Sequence, residues 1–473
     1  MVEASFSRFT GSSAVFGSLI LGLALFAWAL FSTIQNFYRL RHIPGPFVSK
    51  FSSFWITWKF NRRSENFLDL CCRLDGEYGP IVRWAPNNVL FSDPSVIPVI
   101  YGTHNVWRKA VSYEPATPVV NGVLQDSLTT TRNEAQVSVI KRHINAAFTP
   151  RAIGAYEAHV NEAINLLSSR LRSQTPNVDL VRWIKLFAFE TICRIAFSDV
   201  DLTEQEVETI LTGARERFGH WFRWYASPGL ERLVYKNAFV RGRRGTSLLG
   251  QQALKRINER NSKGDFEGMS DLLQWYLESH AKSPELIERG TVVGLVISTI
   301  NAGAETTAST MVEVLLRLLK NPPCLATLRE ELKAAGLASP PTLESVNRLP
   351  YLEAVIKEAM RLNPVNQAPL EREVPAGGAH IAGVYLPGGT SVALNFSALR
   401  FREDVWGSKP EEFRPERWTE VDPAQKARME RAFYGFGHGK RMCIGQHIAW
   451  IEMKKVIPEL LLNYDVSLDP AYI

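Results

Sequence analysis

The sequence predicts one large, mainly α-helical domain with small β-sheets, behind an N-terminal transmembrane helix. Three observations predict this class: long stretches of helical apolar periodicity after residue 47, two short patches of strand and turn signals, and one apolar run within the first forty residues. Of the 473 residues, 45% are hydrophobic and 11% are aromatic, so the chain can bury a large core. This composition excludes a disordered or low-complexity protein.

The transmembrane helix is predicted from a stretch without charge. Residues 9–38 contain no Asp, Glu, Lys or Arg, and the run 14–31 is almost entirely apolar. A helix of about 20 residues crosses the roughly 30 Å hydrocarbon core of a bilayer. A cleaved signal peptide is the alternative, but its basic residues precede a shorter apolar run, whereas Arg39, Arg41 and Lys50 follow this one. By the positive-inside rule, those charges keep the body of the chain on the cytoplasmic side.

Charge and cysteine content complete the predicted organisation. The 54 basic and 48 acidic residues leave a formal net charge of +6, which is too small over this length to indicate nucleic-acid binding. The five cysteines, an odd number without C-x-x-C spacing, do not indicate a disulfide framework. The predicted units are a short lumenal N-terminus at 1–11, the anchor helix at 12–34, a basic Pro-Gly-Pro hinge at 35–46 and one domain at 47–473.

Within that domain, helical signals outnumber strand signals. Short strands are predicted at 81–86 and 88–91, and a second patch of strands and turns near 373–396. A last helix is predicted after Cys443. Periodic apolar stretches predict the other helices, at 133–148, 157–172, 178–198, 203–221, 245–260, 269–279, 284–320, 323–335 and 349–362.

The most informative segment is a glycine-rich loop that delivers Cys443 to the start of an apolar helix. The positive end of a helix dipole favours a charged sulfur, which is the form that binds iron. Two alternatives are an ordinary buried thiol and a phosphate-binding loop. The glycine spacing fits neither G-x-G-x-x-G nor G-x-x-x-x-G-K-[ST], which disfavours the second. From the loop alone, iron ligation and an ordinary thiol stay equally open.

The same loop resembles the haem-binding signature of the cytochrome P-450 superfamily, F-x-x-G-x-R-x-C-x-G. Each fixed position is filled, by Phe436, Gly439, Arg441, Cys443 and Gly445. The resemblance implies the P-450 fold and haem b, with Cys443 as the axial ligand of the iron. It also implies that Phe436 packs under the porphyrin, that Arg441 meets a haem propionate, and that the two glycines let the backbone approach the ring.

A second motif pairs an acid with a guanidinium. Glu358 and Arg361 are three residues apart on a predicted helix, a spacing that usually marks a solvated ion pair. The pair resembles the E-x-x-R of the family, whose partner arginine lies in a later Pro-Glu-Arg segment, here Pro415 to Arg417. The resemblance implies that Glu358, Arg361 and Arg417 form a buried structural network that fixes the cysteine loop.

A third motif, Ala302 to Thr307, interrupts the long apolar stretch 290–319 with an acid and two threonines. Threonines in helices often bond only to the preceding turn, which is the alternative here. The segment resembles A-G-x-[DE]-T-[TS] on the distal helix of the family. The resemblance implies that Thr306 and the buried acid Glu305 are catalytic and deliver protons for oxygen activation, and that the glycine makes room.

Cations for the haem propionates follow from the same resemblance. Arg372 stands where the family places one, and Arg441 is another. In the family, the third cation is the arginine of a W-x-x-x-R pattern on an early helix, and that helix ends in Ala-Phe-Ser. Counting back from Ala147-Phe148-Thr149 gives Lys141, with Val137 at the tryptophan position and Arg142 as the alternative cation.

The resemblance is closest to fungal microsomal members of the pisatin-demethylase-like group, and it extends from the anchor to the helix after Cys443. Family chains continue into a β-hairpin at the substrate pocket, whereas this sequence ends at Ile473. We expect either a more open pocket or a shortened version of the working protein. The predicted pocket walls are Val119 to Leu128, Phe218 to Tyr225, Ile297 to Thr306 and Val365 to Leu370.

The implied function is a monooxygenase of the endoplasmic reticulum membrane that inserts one oxygen atom from O2 into a hydrophobic small molecule, as a tailoring step of secondary metabolism. Because the chain has no dinucleotide fingerprint, NADPH acts through a flavoprotein reductase. A positive docking surface for that partner is expected at Lys440, Arg441, Lys454 and Lys455.

Two alternatives stay open. The first is a haem-thiolate isomerase or dehydratase without a reductase. Such enzymes often lose the acid–threonine pair, so its presence as Glu305 and Thr306 weighs against this reading. The second is a catalytically impaired haem-binding protein, which the short C-terminus favours.

Overall fold

The computed structural model describes residues 20, 23–24, 27, 31–61, 66–104, 106–173, 178–198, 204–263 and 271–469. The predicted lumenal segment 1–11 and most of the predicted anchor 12–34 lie outside this set. In the part of the chain that is described, no helix has the length and apolar character needed to cross a membrane. The prediction of a mainly helical domain with small sheets is confirmed.

The helices are numbered here in chain order after the helical residues 31–39. They are α1 Phe54–Asn61, α2 Phe67–Tyr78, α3 Ile97–Ile100, α4 Glu134–Ile144, α5 Pro150–Ser173, α6 Leu180–Phe197, α7 Glu204–Trp224, α8 Pro228–Val234, α9 Ala238–Arg244, α10 Leu248–Lys263, α11 Leu272–Lys282, α12 Arg289–Lys320, α13 Pro322–Ala334, α14 Leu343–Val346, α15 Pro350–Leu362, α16 Phe396–Leu399, α17 Glu403–Trp406, α18 Pro423–Ala432 and α19 Gln446–Asn463.

The strands form one four-stranded sheet and two hairpins. They are β1 Ile81–Ala85, β2 Asn88–Phe91, β3 Val119–Val120, β4 Val123–Leu124, β5 Arg372–Glu373, β6 Ala379–Ile381, β7 Val384–Leu386 and β8 Ser391–Leu394. The sheet has the order β1-β2-β8-β5, in which β2 and β8 are parallel and Asn88 faces Ser391. The other two neighbour pairs are antiparallel. The sheet therefore joins an early and a late part of the chain.

Helix α12 is the centre of the domain. Nearly all of its residues are apolar or small, so it can be buried along most of its length. It packs against α6, α10, α15 and α19. This packing brings the middle of α12 close to the start of α19, where the predicted distal and proximal motifs lie.

Two helix boundaries differ from the prediction for identifiable reasons. Helix α5 begins at Pro150 rather than at 157, because proline suits the first helical position and Thr149 Oγ1 accepts a hydrogen bond from Ala152 N–H at 3.4 Å. Helix α12 begins at Arg289 rather than at 284, since residues 284–287 form a turn. Nine shorter helices of the described residues were not predicted: α1, α2, α3, α8, α9, α14, α16, α17 and α18.

Candidate active site

A cavity of about 370 Å³ lies between the middle of α12 and the loop that precedes α19. Helix α12 contributes Ala302, Gly303 and Thr306 to its lining, and the loop contributes Phe436 and Cys443. The remaining wall comes largely from residues 364–370 and from the apolar side of α19. Most of the lining is apolar, so the cavity suits a hydrophobic occupant.

Cys443 stands at the floor of this cavity. Its thiol is open to the cavity instead of being packed, and its backbone N–H donates to Phe436 O at 3.0 Å. Burial raises the pKa of the thiol, while the backbone N–H of Gly445 and the charge of Lys141 act in the opposite direction. A coordinating metal cation deprotonates such a thiol outright. The sulfur is therefore accessible to a ligand and has donors that favour its charged form.

The conformation of the loop depends on Gly439. This residue has a φ of +64°, and an added Cβ would lie 1.7 Å from the carbonyl oxygen of Tyr101. Any side chain would therefore strain the backbone and push the loop away from Tyr101. Close contact between these two backbone segments is the physical reason for a glycine here.

Replacing Gly439 by alanine is expected to lower the free energy of unfolding by about 1–3 kcal/mol, the cost of holding a non-glycine residue in a sparsely populated backbone region. Thermal unfolding followed by circular dichroism measures the change. Gly154→Ala is the control: it lies inside α5, with open space around its Cβ position. There, alanine is expected to stabilise the helix by about 0.5–1 kcal/mol. An unchanged midpoint for Gly439→Ala would contradict the steric argument.

The predicted propionate cations all lie in the lining of the cavity. Arg372 Nη1 donates to Leu370 O at 3.1 Å and to Glu371 O at 3.0 Å. Lys141 Nζ donates to Lys440 O at 2.7 Å. Arg142, the alternative to Lys141, is exposed and does not line the cavity.

Arg441 has more protein partners than the resemblance implies. Its guanidinium donates to both carboxylate oxygens of Glu134 at 2.7–3.1 Å, and to the carbonyl oxygens of Leu128 and Thr131 at 3.0 and 2.9 Å. These contacts leave one N–H, on Nη1, for an additional acceptor. Glu134, at the start of α4, therefore fixes Arg441 before any ligand arrives.

These residues fit a haem. A thiol open to an apolar cavity supplies the soft ligand that iron prefers. Cations line the cavity as propionates require, and His438, also in the lining, has a buried Nε2 without a hydrogen-bond partner among the described residues. Such unmatched polar groups are expected where a charged and polar ligand completes the site.

The distal motif is only partly inside the cavity. Thr306 lines it, and its Oγ1 donates to Ala302 O at 2.7 Å. Glu305 lies outside the lining and is 21% exposed, with its carboxylate 3.7 Å from Lys185 Nζ of α6. Glu305 is therefore half-buried rather than fully buried: its Oε2 is enclosed, without a hydrogen-bond partner among the described residues. Its side chain leaves the cavity because the next position on a helix points about 100° away. Gly303 lines the cavity, and a Cβ there would lie 2.3 Å from Ile192 Cγ1 of α6.

The structure brings Glu358, Arg361 and Arg417 together in a buried cluster. Glu358 accepts from Arg361 Nε and Nη2 at 2.9 and 2.8 Å, from Arg417 Nε at 2.7 Å and from Trp418 Nε1 at 3.0 Å. Burial alone raises the pKa of Glu358, but these arginines outweigh it and hold the pKa below its usual value. Trp418 packs edge-on against Phe433, which precedes the cysteine loop. The cluster thus supports the loop through this aromatic contact.

Two of the predicted pocket walls are in place and two are largely not. Residues from 297–306 and 365–370 line the cavity, whereas only Leu128 of the segment 119–128 does. The aromatic stretch 218–225 packs elsewhere, where Trp221 and Tyr225 join Phe67 and Trp84 in a separate buried cluster.

The structure contradicts three of the four residues of the predicted docking surface; the fourth, Lys440, is half-buried, with its Nζ donating to Glu134 O at 3.4 Å. Lys454 and Lys455 are buried and pair with Glu353 at 2.9 Å and Glu157 at 2.5 Å. Arg441 is equally enclosed, with only 4% of its side chain exposed. Helix α19 is covered on most sides by other helices, so basic residues on it serve internal ion pairs.

Sequence reasoning missed Lys109 and His438, which both line the cavity. His438 lies inside the recognised loop, so its position was a usable signal. Lys109 belongs to no motif, and its place is set by a pairing with a strand far along the chain. Burial lowers the pKa of His438, which therefore favours the neutral imidazole.

Comparison with known proteins agrees with this geometry. A family model described as Cytochrome P-450 matches residues 44–472. A cytochrome P-450 monooxygenase of Aspergillus terreus is 31% identical over 470 residues, covering 95% of this chain and 94% of the relative. The monooxygenase mfmA of Annulohypoxylon moriforme is also 31% identical, covering 94% and 91%.

Solved structures show the same fold. A retinoic acid-bound cyanobacterial protein, CYP120A1, aligns with a TM-score of 0.68 at 20% identity, covering 84% of this chain and 87% of that one. A zebrafish cytochrome P-450 with progesterone aligns with a TM-score of 0.66 at 21% identity, covering 84% and 92%. The chain belongs to the cytochrome P-450 family of haem-thiolate monooxygenases, and it is an oxidoreductase.

Proposed function

We propose that this protein inserts one oxygen atom from O2 into a hydrophobic small molecule, by hydroxylation, epoxidation or a similar step, in the biosynthesis of a secondary metabolite. The observation that carries the proposal is one apolar cavity with the Cys443 thiol on one side and the Thr306 hydroxyl on the other. Two fungal cytochrome P-450 monooxygenases, each 31% identical to this chain over more than nine tenths of its length, support the reaction class.

Cys443 would ligate the haem iron, and Arg372, Lys141 and Arg441 would bind the propionates. When bound, the haem supplies the activation of O2. The protein orients the substrate and excludes water from the cavity. Apolar side chains from α12 and from 364–370 enclose the substrate, which favours terpenoid, polyketide or alkaloid skeletons over charged molecules.

Protons reach the cavity through side chains at its edge. Glu305 and Lys185 are both partly exposed and 3.7 Å apart, so they can exchange protons with solvent. Thr306 follows Glu305 in the helix and lines the cavity, with its hydroxyl donating to Ala302 O at 2.7 Å. The proposed order is therefore solvent, Glu305, then Thr306, with Lys185 within ion-pairing distance of the Glu305 carboxylate.

Electrons would come from NADPH through a membrane-bound flavoprotein reductase. The uncharged stretch 9–38 supports a single-pass anchor in the endoplasmic reticulum membrane, with the domain on the cytoplasmic side. Such an anchor would hold the two proteins on one surface and raise their effective concentration.

Three measurements test the proposal. The reduced carbon monoxide adduct of the purified protein is expected to show the red-shifted Soret band of thiolate ligation. Substrate-dependent NADPH consumption with added reductase then separates an oxygenase from an isomerase, which needs no electrons. Comparing metabolites of a strain with and without the gene is expected to reveal an intermediate that lacks one oxygen atom.

Replacing Thr306 by alanine is expected to reduce the ratio of product formed to NADPH consumed by about 10²-fold, the usual contribution of a positioned proton donor. Electrons still arrive, but the proton donor at the cavity is lost. The control is Thr310→Ala, because the Thr310 hydroxyl also bonds to the preceding turn, at 3.0 Å from Thr306 O, one turn further along α12. Equal ratios for the two variants would exclude Thr306 from proton delivery.

A further inference from the structure

Two polar atoms in the walls of the cavity have no hydrogen-bond partner among the described residues. They are Oγ of Ser298, on α12, and Oδ1 of Asn366, in the wall formed by residues 364–370. Both atoms are shielded from bulk water, and leaving such a group unpaired costs free energy that a hydrogen bond would recover. Each of these atoms therefore marks a place where a bound molecule can supply the missing partner.

Ser298 differs from three other hydroxyl residues of α12 that line the cavity. The hydroxyls of Thr299, Thr306 and Thr310 donate to the carbonyl oxygen four residues earlier, at 3.0, 2.7 and 3.0 Å. This bond to the preceding turn is a common way to satisfy a hydroxyl within a helix. In the described part of the chain, the Ser298 hydroxyl makes no such bond. Because a serine hydroxyl rotates to suit its partner, it can accept a hydrogen bond from a ligand.

Asn366 places an amide among apolar lining residues such as Val365 and Leu370. Three residues earlier, Asn363 donates its amide N–H to Glu313 Oε2 of α12 at 2.9 Å, which fixes the start of this wall. The Oδ1 of Asn366 has no comparable contact with the described residues. Ligand pockets are mostly apolar, with a few placed polar groups that fix the orientation of the ligand. Asn366 is in a position to be such an orienting group.

Both atoms belong to walls that the proposed substrate would face. Other unpaired groups of the lining, such as His438 Nε2 and the Glu452 carboxylate, belong to the loop and helix that carry Cys443. Ser298 precedes Thr306 by two turns of α12, which is about 12 Å along the helix axis. A substrate group that bonds to Ser298 is therefore held at a distance from the Thr306 end of the cavity.

We propose that the substrate is an apolar molecule that already carries a hydroxyl or N–H group, and that such groups donate to Asn366 Oδ1 and to Ser298 Oγ. The carbon that is oxidised then lies away from Ser298, near Thr306. A bare hydrocarbon would leave both atoms unpaired and bind more weakly. The protein therefore acts after a reaction that installs the donor group. This inference rests on the proposed monooxygenase function, because it names the substrate class of the same cavity.

The test compares adamantanol, farnesol and oestrone with their methyl ethers, which keep each skeleton but lose the hydroxyl donor. Binding to the ferric holoprotein is measured from the shift of its Soret band. In the parent, at least one alcohol is expected to bind about tenfold more tightly than its ether, the effect of one hydrogen bond to a buried acceptor.

The variants assign this preference to the two atoms. Asn366→Leu keeps the size of the side chain without its polar group, and Ser298→Ala removes the hydroxyl. At least one of them is expected to lower the preference for the alcohol, and the double variant is expected to bind alcohol and ether alike. Ser169→Ala, at an exposed serine of α5, is the control and is expected to keep the parent preference.

Thermal unfolding of the ligand-free holoprotein separates a binding role from a structural one. If neither atom has a partner inside the protein, an apolar replacement removes no hydrogen bond, so the variants are expected to unfold at the parent temperature or above it. Asn366→Ala is measured beside Asn366→Leu, so that a clash of the larger side chain is recognised. A lower midpoint for Ser298→Ala and for both Asn366 variants would reveal internal partners and overturn the inference.

Failure of the inference and failure of the proposed function are distinguishable. If the parent protein binds no haem, or its reduced carbon monoxide adduct lacks the red-shifted Soret band, the proposed function fails. If the parent shows that band but binds none of the alcohols more tightly than its ether, only the inference fails. A double variant that keeps the preference of the parent for an alcohol has the same meaning.

Discussion

Replacing Cys443 by serine is expected to abolish the red-shifted Soret band of the reduced carbon monoxide adduct and to reduce product formation by more than 100-fold. Mutating only the partners of metal ligands costs about 10–100-fold, so loss of the ligand itself costs more. Serine has nearly the same shape, but its hydroxyl is a hard, weakly acidic ligand. The Cys443 side chain faces a cavity, so the substitution leaves packing unchanged.

The matched control is Cys324→Ser. Cys324 is half-buried away from the cavity, and its sulfur lies 3.9 Å from Phe413 O. This variant is expected to keep the spectrum and the turnover of the parent. Turnover by Cys443→Ser at the parent rate would remove the assignment of the axial ligand, and with it the proposed chemistry.

Replacing Glu358 by alanine is expected to lower the free energy of unfolding by about 3–5 kcal/mol, the usual cost of removing one partner of a buried ion pair. Two buried guanidinium groups, of Arg361 and Arg417, would lose their carboxylate partner. Denaturant unfolding measures the loss, and haem content per protein is expected to fall because the cysteine loop loses its support. Trp418 would also lose the acceptor of its indole N–H.

The control for this prediction is Glu344→Ala. Glu344 forms an exposed ion pair with Arg348 one turn away, with 78% of its own side chain exposed. Such a pair contributes about 0.5 kcal/mol or less, so the control is expected to unfold almost as the parent does. Equal stability of Glu358→Ala and Glu344→Ala would contradict the role of the buried cluster.

At acidic pH, the difference in the free energy of unfolding between Glu358→Ala and the parent is expected to become smaller. The pKa of Glu358 is lower in the folded state than in the unfolded state, so the unfolded state binds more protons. Stability from this carboxylate is therefore complete above the unfolded pKa and is lost as the pH falls through the folded pKa. The two unfolding free energies should converge over that acidic range and stay apart at neutral pH.

The sequence predicted the elements of the site better than their surroundings. Cys443 and Thr306 belong to local motifs on periodic helices, and helix periodicity alone puts α12 and α19 in the core. The burial of each basic residue was less predictable. In the sequence, Lys454 and Lys455 look like surface cations, yet both are buried because other helices cover most sides of α19. Lys109 was missed because its position depends on a bridge to Arg372, about 260 residues away.

The sheet order has a consequence for synthesis. Strand β2 pairs with β8, and about 300 residues separate Asn88 from Ser391. At ~5–20 residues per second, the ribosome needs roughly 15–60 seconds to supply that partner. Until then, one edge of β2 keeps its backbone groups unpaired, a state that invites association with other nascent chains. The sheet can therefore close only late in synthesis, and chaperones that cover strand edges are most needed during that interval.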